Sequence, residues 1–319
     1  MKGLGMKSRT PVMIVAFNRP AMLKETLENL SSCENVGNRV IQLYIDGPRN
    51  AADESKIRAV VDVATRWGGG LRIKRRDTNL GGVPNMIAAV SEMLELYGRV
   101  IIIEDDILVS RSFLTFMDDA LDRYENNSNI WAINGYVDPK MAMPRQYKKD
   151  YFLAPRHSAW GWGTWKERWA AVDFEIRDWK MMRNDLSLVR ELDAAGGDIV
   201  GMLDAEAAGE LNAWDVQCTY YMRKNGLYTL RPRLTMTKNN GFGTECEHCS
   251  IPSSRYSKQK YYTFHPVLDD LPMTDPSVIA AFQNSFSRTF CQRLVDRAKR
   301  LYLDYCGDAN RDPISVDIV

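Results

Sequence analysis

The sequence predicts an α/β fold in which helices flank a mostly parallel sheet. Four short apolar segments rich in Val and Ile alternate with helical segments over the first 130 residues, which is the pattern of parallel crossover units. Glycine and proline stand at the boundaries between these segments. The fourth apolar segment runs directly into three carboxylates, Glu104, Asp105 and Asp106. Because ligands bind at the carboxyl ends of the strands in such sheets, these acids predict a binding site.

The elements of the first half follow from apolar runs and helical spacing. We expect strands at 11–17, 40–45 and 100–103, where mostly apolar runs are bounded by turn residues, and another short strand at 71–75. We expect helices where apolar residues recur every three or four positions, at 21–30, 53–67, 84–97 and 112–125. Pro20 suits a helix N-terminus, and the glycines at 68–70 suit a helix end.

The pattern changes after about residue 130, and we expect a second half with a different role. Strands are predicted at 131–136 and 227–231, and a helix at 214–224. A C-terminal helix is predicted at 286–305, with a stripe of apolar residues on one face. We therefore divide the chain into residues 1–130, residues 131–260 of the same domain, and a C-terminal helical extension at 261–319.

Composition indicates an ordinary globular protein. The 319 residues are 45% hydrophobic and 26% charged, and the net charge of +1 gives no reason to expect a nucleic-acid partner. No run approaches the roughly 20 apolar residues of a membrane span, and the N-terminus lacks the apolar core of a signal peptide. The six cysteines are spread along the chain, which suits a reducing compartment. We expect a cytoplasmic protein.

The three acids predict a divalent-metal site. Their mutual repulsion raises their pKa values unless a cation compensates, and oxygen ligands favour Mg²⁺ or Mn²⁺. Arg19 follows the first predicted strand and Asp46 ends the second, so both lie at the ligand edge. An arginine there could hold phosphate, and an aspartate could accept a hydrogen bond from a base. The alternative for Asp46-Gly47-Pro48 is an ordinary turn.

The order of three motifs resembles a family. Pro-Val-Met-Ile-Val-Ala-Phe-Asn-Arg-Pro at 11–20, Tyr-Ile-Asp-Gly at 44–47 and Ile-Ile-Ile-Glu-Asp-Asp-Ile-Leu at 101–108 resemble GT-A-fold glycosyltransferases. The chain is most similar to the branch that includes N-acetylglucosaminyltransferase I and related bacterial sugar transferases. The resemblance implies that the acidic motif binds Mn²⁺ or Mg²⁺ at the diphosphate of a UDP-sugar, with Asp106 as the metal ligand.

The same resemblance implies contacts to the donor. Its implied nucleotide-sugar residues are Arg19, Asp46, Glu104 and Asp105, together with Asn79, Gly81 and Asn85 from a loop that closes over the donor. Taken without the family, two glycines before a helix are a weak signal.

Two further candidates lie in the second half, which we expect to bind the acceptor. Four tryptophans fall between residues 160 and 169, and we favour Trp160 and Trp162 as sugar-stacking rings. A tryptophan-rich core is the alternative. Trp214-Asp215 resembles the family's Trp-Asp, which implies Asp215 as the catalytic base, although a helix cap would need the same residue.

His248 is the last candidate. Many GT-A enzymes supply a late histidine to the metal, which implies His248 as a second metal ligand, although extra residues separate it from Thr244. Cys246 and Cys249 flank this histidine, but no second ligand pair follows at zinc-site spacing. The basic residues of the predicted helix at 286–305 are compatible with an anionic membrane surface or with packing on its own domain.

The sequence thus predicts a metal-dependent inverting glycosyltransferase with a nucleotide-sugar donor and a glycan or lipid-linked acceptor, peripheral on the inner face of a membrane if helix 286–305 contacts it. A sugar-nucleotide pyrophosphorylase is an alternative, but the glycine-rich loop that usually opens such enzymes is absent. A phosphatase with an Asp-x-Asp nucleophile matches poorly. A non-catalytic sugar-binding protein would keep the tryptophans without needing the metal or Asp215.

Overall fold

The first half of the chain alternates strands with helices, as predicted. A computed structural model describes residues 9–242 and 259–286 of the protein. The elements in chain order are β1 Val12–Ala16, α1 Pro20–Ser31, β2 Ile41–Ile45, α2 Ala51–Trp67, β3 Leu71–Arg75, α3 Gly82–Tyr97 and β4 Arg99–Glu104. Helix α1 begins at proline, and the Asn50 side chain caps α2 by accepting from the Asp53 backbone N–H.

The second half contains more strands than the sequence predicted. The elements continue with β5 Ile107–Val109, α4 Phe113–Arg123, β6 Ile130–Asn134, β7 Tyr151–Ala154, β8 Trp162–Trp165, α5 Lys166–Ala170, α6 Trp179–Met182, α7 Leu186–Ala195, α8 Ile199–Ala207, α9 Trp214–Lys224, β9 Tyr228–Pro232, β10 Thr237–Asn239 and α10 Pro276–Ser285. Strands β5, β7, β8 and β10 and helix α10 were not predicted. The predicted helix at 286–305 lies outside the described residues.

One eight-stranded sheet runs through both halves, in the order β3-β2-β1-β4-β8-β6-β9-β7. Strands β1 to β4 are mutually parallel, β8 is antiparallel to β4 and β6, β9 is parallel to β6, and β7 is antiparallel to β9. The α/β class with a mostly parallel sheet is therefore confirmed. A second, two-stranded sheet pairs β5 with β10.

Helices cover both faces of the sheet. Because side chains alternate along a strand, Val12 and Ile14 face the core with α1, α2 and α4, whereas Met13 faces the core with α3, α5 and α9. Helices α6 to α9 form a separate apolar cluster, and α10 packs on β7. In the described ranges, no helix is long and apolar enough to cross a bilayer.

Candidate active site

An arginine joins the two aspartates at the carboxyl end of β4. Asp105 and Asp106 are 1% and 8% exposed. Arg19, just after β1, forms an ion pair with Asp105 through Nη2 and donates from Nη1 to Asp106 Oδ2 at 3.0 Å. The Thr26 hydroxyl donates to the Asp105 backbone oxygen at 2.7 Å, which fixes the turn against α1. The structure thus brings Arg19, Asp105 and Asp106 together at the predicted edge.

The acids carry more negative charge than Arg19 compensates. Burial raises the pKa of Asp105 to about 7, against the opposing effect of Arg19. The pKa of Glu104 is also raised, first by burial and then by the charges of Asp106 and Asp105. Carboxyls whose ionised form is disfavoured in this way gain from an added cation, so the electrostatics of this edge suit a metal–diphosphate ligand.

Asp106 fits the role of a metal ligand. Its Oδ1 is buried and lacks a hydrogen-bond partner in the described part of the chain. Gly241 lies so close to the carboxylate that a Cβ there would overlap Asp106 Oδ2. No cluster of three or more His, Cys, Asp or Glu side chains within 9–242 and 259–286 is arranged for a metal. Mg²⁺ commonly takes one or two carboxylates and completes its shell with water and substrate phosphates, which is consistent with this donor set.

The small sheet brings a late segment of the chain to these acids. Strand β10 pairs with β5 in the register Asn239 to Ile107, and the Asn240 N–H donates to the Asp106 backbone oxygen at 2.8 Å. Residues 239–242 therefore lie beside Asp106. His248, the second metal ligand of the sequence prediction, lies outside the described residues, and its role stays a prediction.

Asp46 organises the loop that follows β3. The buried carboxylate accepts hydrogen bonds from the backbone N–H groups of Gly47, Leu80 and Gly81 and from the Asn79 side chain, all between 2.8 and 3.0 Å. Each of the two carboxylate oxygens thus accepts two hydrogen bonds. Asp46, Asn79 and Gly81 are therefore together, as predicted, but Asp46 is placed to hold the loop rather than to reach a base or ribose directly.

Asn85 lies beneath the same loop. It is 2% exposed, its backbone N–H donates to the Gly81 oxygen at 3.0 Å, and its Oδ1 accepts from Arg76 Nε at 3.2 Å. Arg76 also donates to Glu92 at 2.7 Å. Asn85 thus supports the loop from inside the fold, and a contact from its side chain to a donor stays a prediction.

The two favoured tryptophans have different environments. Trp162 is completely buried and stacks at 6.1 Å on Trp131 within the core under α9. Its ring has no face open to a sugar, so the structure gives it the packing role that was the alternative reading. Trp160 is partly exposed and meets Tyr136 at 4.5 Å and Phe242 at 5.8 Å, edge to face. Trp160 is the ring available at the site.

Asp215 lies in the first turn of α9, within electrostatic range of the acids after β4. Its charge contributes to the raised pKa of Glu104. Burial raises the pKa of Asp215 itself, and the Arg156 charge opposes this shift. A carboxylate with a raised pKa is a stronger base once ionised, so the arrangement can accept a proton near the acidic edge.

Two residues beside the site carried no clear sequence signal. Gly241 stands in an Asn-Asn-Gly stretch that indicates only a loop, and Arg156 follows an isolated proline. Their positions depend on the pairing of β10 with β5 and on the contact between residues 155–158 and α9. Spacing along the chain cannot reveal either contact.

A cavity of about 820 Å³ lies at the opposite edge of the sheet. Its lining includes Arg99, Trp165, Arg168 and Tyr221. Because Arg99 begins β4 and the acids follow its end, the cavity is about 20 Å from them at roughly 3.3 Å per residue. This cavity is therefore separate from the candidate active site.

Comparison with known proteins gives distant structural similarities. No protein-family model and no curated protein sequence matches the chain. Among solved structures, the mannosyltransferase PcManGT of Pyrobaculum calidifontis, in complex with GDP-Man and Mn²⁺, is 16% identical over 50% of this chain and 45% of its own, with a TM-score of 0.35. S. aureus TarS 1–349 in complex with UDP is 13% identical over 70% and 57%, with a TM-score of 0.38.

A nucleotidyltransferase has a similar TM-score against this chain. A putative glucose-1-phosphate thymidylyltransferase from Bacillus anthracis is 9% identical over 72% of this chain and 89% of its own, with a TM-score of 0.36. The chain spans about half the length of PcManGT and of TarS 1–349. Similarity at this distance assigns no activity to this chain.

Proposed function

We propose that this protein is a metal-dependent inverting glycosyltransferase that moves a sugar from a nucleotide-sugar, most simply a UDP-sugar, to a glycan or lipid-linked oligosaccharide. In this proposal residues 1–130 bind the nucleotide, residues 131–260 hold the acceptor and the base, and residues 261–319 form an extension. The motif order of a GT-A glycosyltransferase supports it.

One observation carries the proposal: an arginine after β1 pairs with two buried aspartates at the carboxyl end of β4, where Asp106 Oδ1 has no hydrogen-bond partner among the described residues. Asp105 and Asp106 follow β4, Arg19 bridges them, and Asp215 at the start of α9 is close enough to act electrostatically on Glu104. A solvated acidic turn would not bury its aspartates below 10% exposure. A non-catalytic binding module would have no need of a base such as Asp215.

The chemistry is a displacement at the anomeric carbon of the donor. Asp215 accepts the proton of an acceptor hydroxyl, the hydroxyl oxygen bonds to the anomeric carbon, and the bond from that carbon to the diphosphate oxygen breaks on the opposite face. Asp106 would hold the Mn²⁺ or Mg²⁺. When bound, that ion stabilises the negative charge of the leaving diphosphate as a Lewis acid. Arg19 lies where it can hold phosphate as well.

The decisive experiment follows donor binding and turnover together. The protein is incubated with UDP-, GDP- and TDP-sugars, with and without Mn²⁺, while the melting temperature and nucleoside diphosphate release are measured. We expect one nucleoside diphosphate sugar to raise the melting temperature only with metal, and the diphosphate to be released. Formation of a nucleoside triphosphate from pyrophosphate would instead identify a pyrophosphorylase.

A matched pair of variants tests the metal assignment. Asp106→Asn removes the charge at the unpaired carboxylate, and we expect metal-dependent donor binding to weaken by about 100-fold. Asp62→Asn changes an exposed aspartate on α2 and should leave binding unchanged. Equal donor binding by Asp106→Asn and the native protein would contradict the metal site.

A further inference from the structure

Arg19 contacts two buried aspartates through three nitrogens of one side chain. Its Nε lies 3.4 Å from Asp105 Oδ2, its Nη2 forms an ion pair with Asp105 Oδ1, and its Nη1 donates to Asp106 Oδ2 at 3.0 Å. The side chains of Asp105 and Asp106 are 2% and 10% exposed, whereas that of Arg19 is 22% exposed. The guanidinium is therefore the member of this cluster that solvent and a ligand reach most easily.

The guanidinium is attached unequally to the two acids. Asp105 receives two of the three nitrogens, and Asp106 receives one. The backbone of Asp105 is itself fixed, because its N–H donates to the Val15 oxygen at 3.0 Å and its oxygen accepts from the Thr26 hydroxyl at 2.7 Å. A small rotation of the Arg19 side chain would therefore release Asp106 while the contact with Asp105 is kept.

The two carboxylate oxygens of Asp106 have different surroundings. Oδ2 accepts from Arg19 and lies against Gly241, where a Cβ would overlap it. Oδ1 is buried and has no hydrogen-bond partner among residues 9–242 and 259–286. A cation bound to Oδ1 would share this one carboxylate with the positive charge of Arg19, so the two cations would repel each other. In this arrangement Arg19 opposes the binding of an ion to Asp106.

A diphosphate would change this balance. Its oxygens can accept from an arginine and coordinate a divalent ion at the same time, and its negative charge offsets the repulsion between the two cations. Nη1 of Arg19 could then donate to a phosphate oxygen instead of Asp106 Oδ2, while Nε and Nη2 stay on Asp105. The positive charge on Asp106 would thereby be exchanged rather than doubled.

We propose that Arg19 is an internal cation that occupies Asp106 until a nucleoside diphosphate binds, so that binding of the divalent ion depends on the diphosphate. This inference deepens the proposed function and rests on Asp106 as its metal ligand. Because Arg19 competes with the ion but attracts the diphosphate, its loss has opposite effects on the affinities for the two ligands, and it reduces the coupling between them.

The test measures the binding of each ligand without turnover. Mn²⁺ is titrated into native protein and Arg19→Met, free Mn²⁺ is followed by EPR, and the titration is repeated with UDP, GDP or TDP present. Arg19→Met should bind Mn²⁺ alone about 10-fold more tightly, because the competing charge is lost. With Mn²⁺ present, the diphosphate that native protein binds best should bind Arg19→Met about 10-fold more weakly. Unchanged or weaker binding of Mn²⁺ alone would overturn the inference.

Two further variants separate charge from structure. Arg19→Lys keeps the charge but not the planar fork, so its affinity for Mn²⁺ alone should lie between those of native protein and Arg19→Met. If Arg19→Met does not fold, Arg19→Lys decides, and Mn²⁺ binding no tighter than in native protein contradicts the exchange. Arg183→Met removes the arginine of another two-bond pair, with Asp204 at 2.6 and 3.2 Å, and should leave Mn²⁺ binding unchanged. Equal tightening by Arg183→Met would overturn the role of Arg19.

The two proposals fail in different ways. If Arg19→Met tightens Mn²⁺ binding and weakens diphosphate binding but no nucleotide-sugar is turned over, the exchange at Asp106 stands and the proposed transfer reaction is wrong. If transfer occurs and Asp106→Asn weakens metal-dependent donor binding while Arg19→Met leaves the affinity for Mn²⁺ alone unchanged, the metal site stands and the exchange is wrong.

Discussion

The parallel strands β3-β2-β1-β4 and the strands beyond them, β8-β6-β9-β7, position their polar residues differently. In the parallel part, Arg19 and Asp105 each follow the end of a strand, and the common strand direction brings them together. In the mixed part, Asp215 starts a helix and is linked to the segment before β8 through Thr219. There, the position of the proposed base depends on packing between elements distant in sequence.

This difference predicts different responses to mutation. At the carboxyl ends of the parallel strands, which we call the parallel edge, the loops pack closely. Arg19 holds Asp105 and Asp106, and backbone N–H groups hold Asp46. In the mixed part, the support is a cluster of buried rings that includes Trp131, Trp162 and Trp214. Mutations at the parallel edge should impair ligand binding, whereas mutations in the mixed part should impair folding. Asp215 is the exception in the mixed part, because its loss should impair turnover instead.

The largest effect is expected from Asp215→Asn, which should separate catalysis from folding in the mixed part. Loss of the base should reduce turnover by about 100-fold or more while metal-dependent donor binding is kept. Turnover and the melting-temperature increase with donor are measured on the same sample. Glu210→Gln, at an exposed position just before α9, is the control and should keep full turnover. Loss of donor binding in Asp215→Asn would mean that the base lies elsewhere.

Trp162→Ala and Trp160→Ala should separate the core from the site. Because Trp162 is fully buried, its loss should lower the free energy of unfolding by about 3–5 kcal/mol. Trp160 is partly exposed, so its loss should cost about 1 kcal/mol and should weaken sugar binding instead. Urea denaturation and donor titration measure the two quantities. Similar destabilisation by both variants would contradict the distinction.

Gly47→Ala should disturb the parallel edge. A Cβ at Gly47 would overlap the Thr78 carbonyl and lie 2.7 Å from the Asn79 backbone nitrogen, so the two loops must separate. We expect a loss of about 1–3 kcal/mol in unfolding free energy and weaker donor binding. Gly37→Ala has nothing within 4 Å of the added atom and serves as the control. Unchanged stability in Gly47→Ala would show that these loops are not packed tightly.

The last prediction is a pH dependence of the unfolding free energy that is caused by His157. The imidazole is buried between Trp131, Trp162 and Trp214, and burial lowers its pKa well below the ordinary value of 6.5. Below pH 6.5 the unfolded chain takes up a proton that the folded protein excludes, so stability falls as the pH falls. When the pH is lowered from 7.5 to 5.5, the unfolding free energy should fall by about 1.4 kcal/mol because of His157.

His157→Phe should remove this contribution. Neither ring nitrogen of His157 has a hydrogen-bond partner in the described structure, so the substitution breaks no side-chain hydrogen bond. The difference in unfolding free energy between native protein and variant, measured by urea denaturation at both pH values, isolates the effect from other titrating groups. A difference that stays constant with pH would contradict it.

The sequence predicted the parallel half closely, because its signals are local. Apolar runs predicted β1, β2 and β4, a shorter segment at 71–75 predicted β3, and helical spacing predicted α1 to α4 within a few residues. Helix α9 was predicted with its observed bounds, 214–224. Strand β8 was missed because its four residues, Trp-Gly-Thr-Trp, resemble the start of the helix that follows. Strands β5 and β10 have three residues each and form only by pairing with each other.

By itself the sequence determined the α/β class, the run of acids after an apolar strand, and the arginine and aspartate candidates beside them, because strand direction fixes which ends meet. The tertiary structure alone decided that Trp162 is buried while Trp160 is accessible, and that Asp46 holds a loop. Those outcomes depend on contacts between residues far apart in the chain, such as Trp160 with Phe242, which no local pattern encodes.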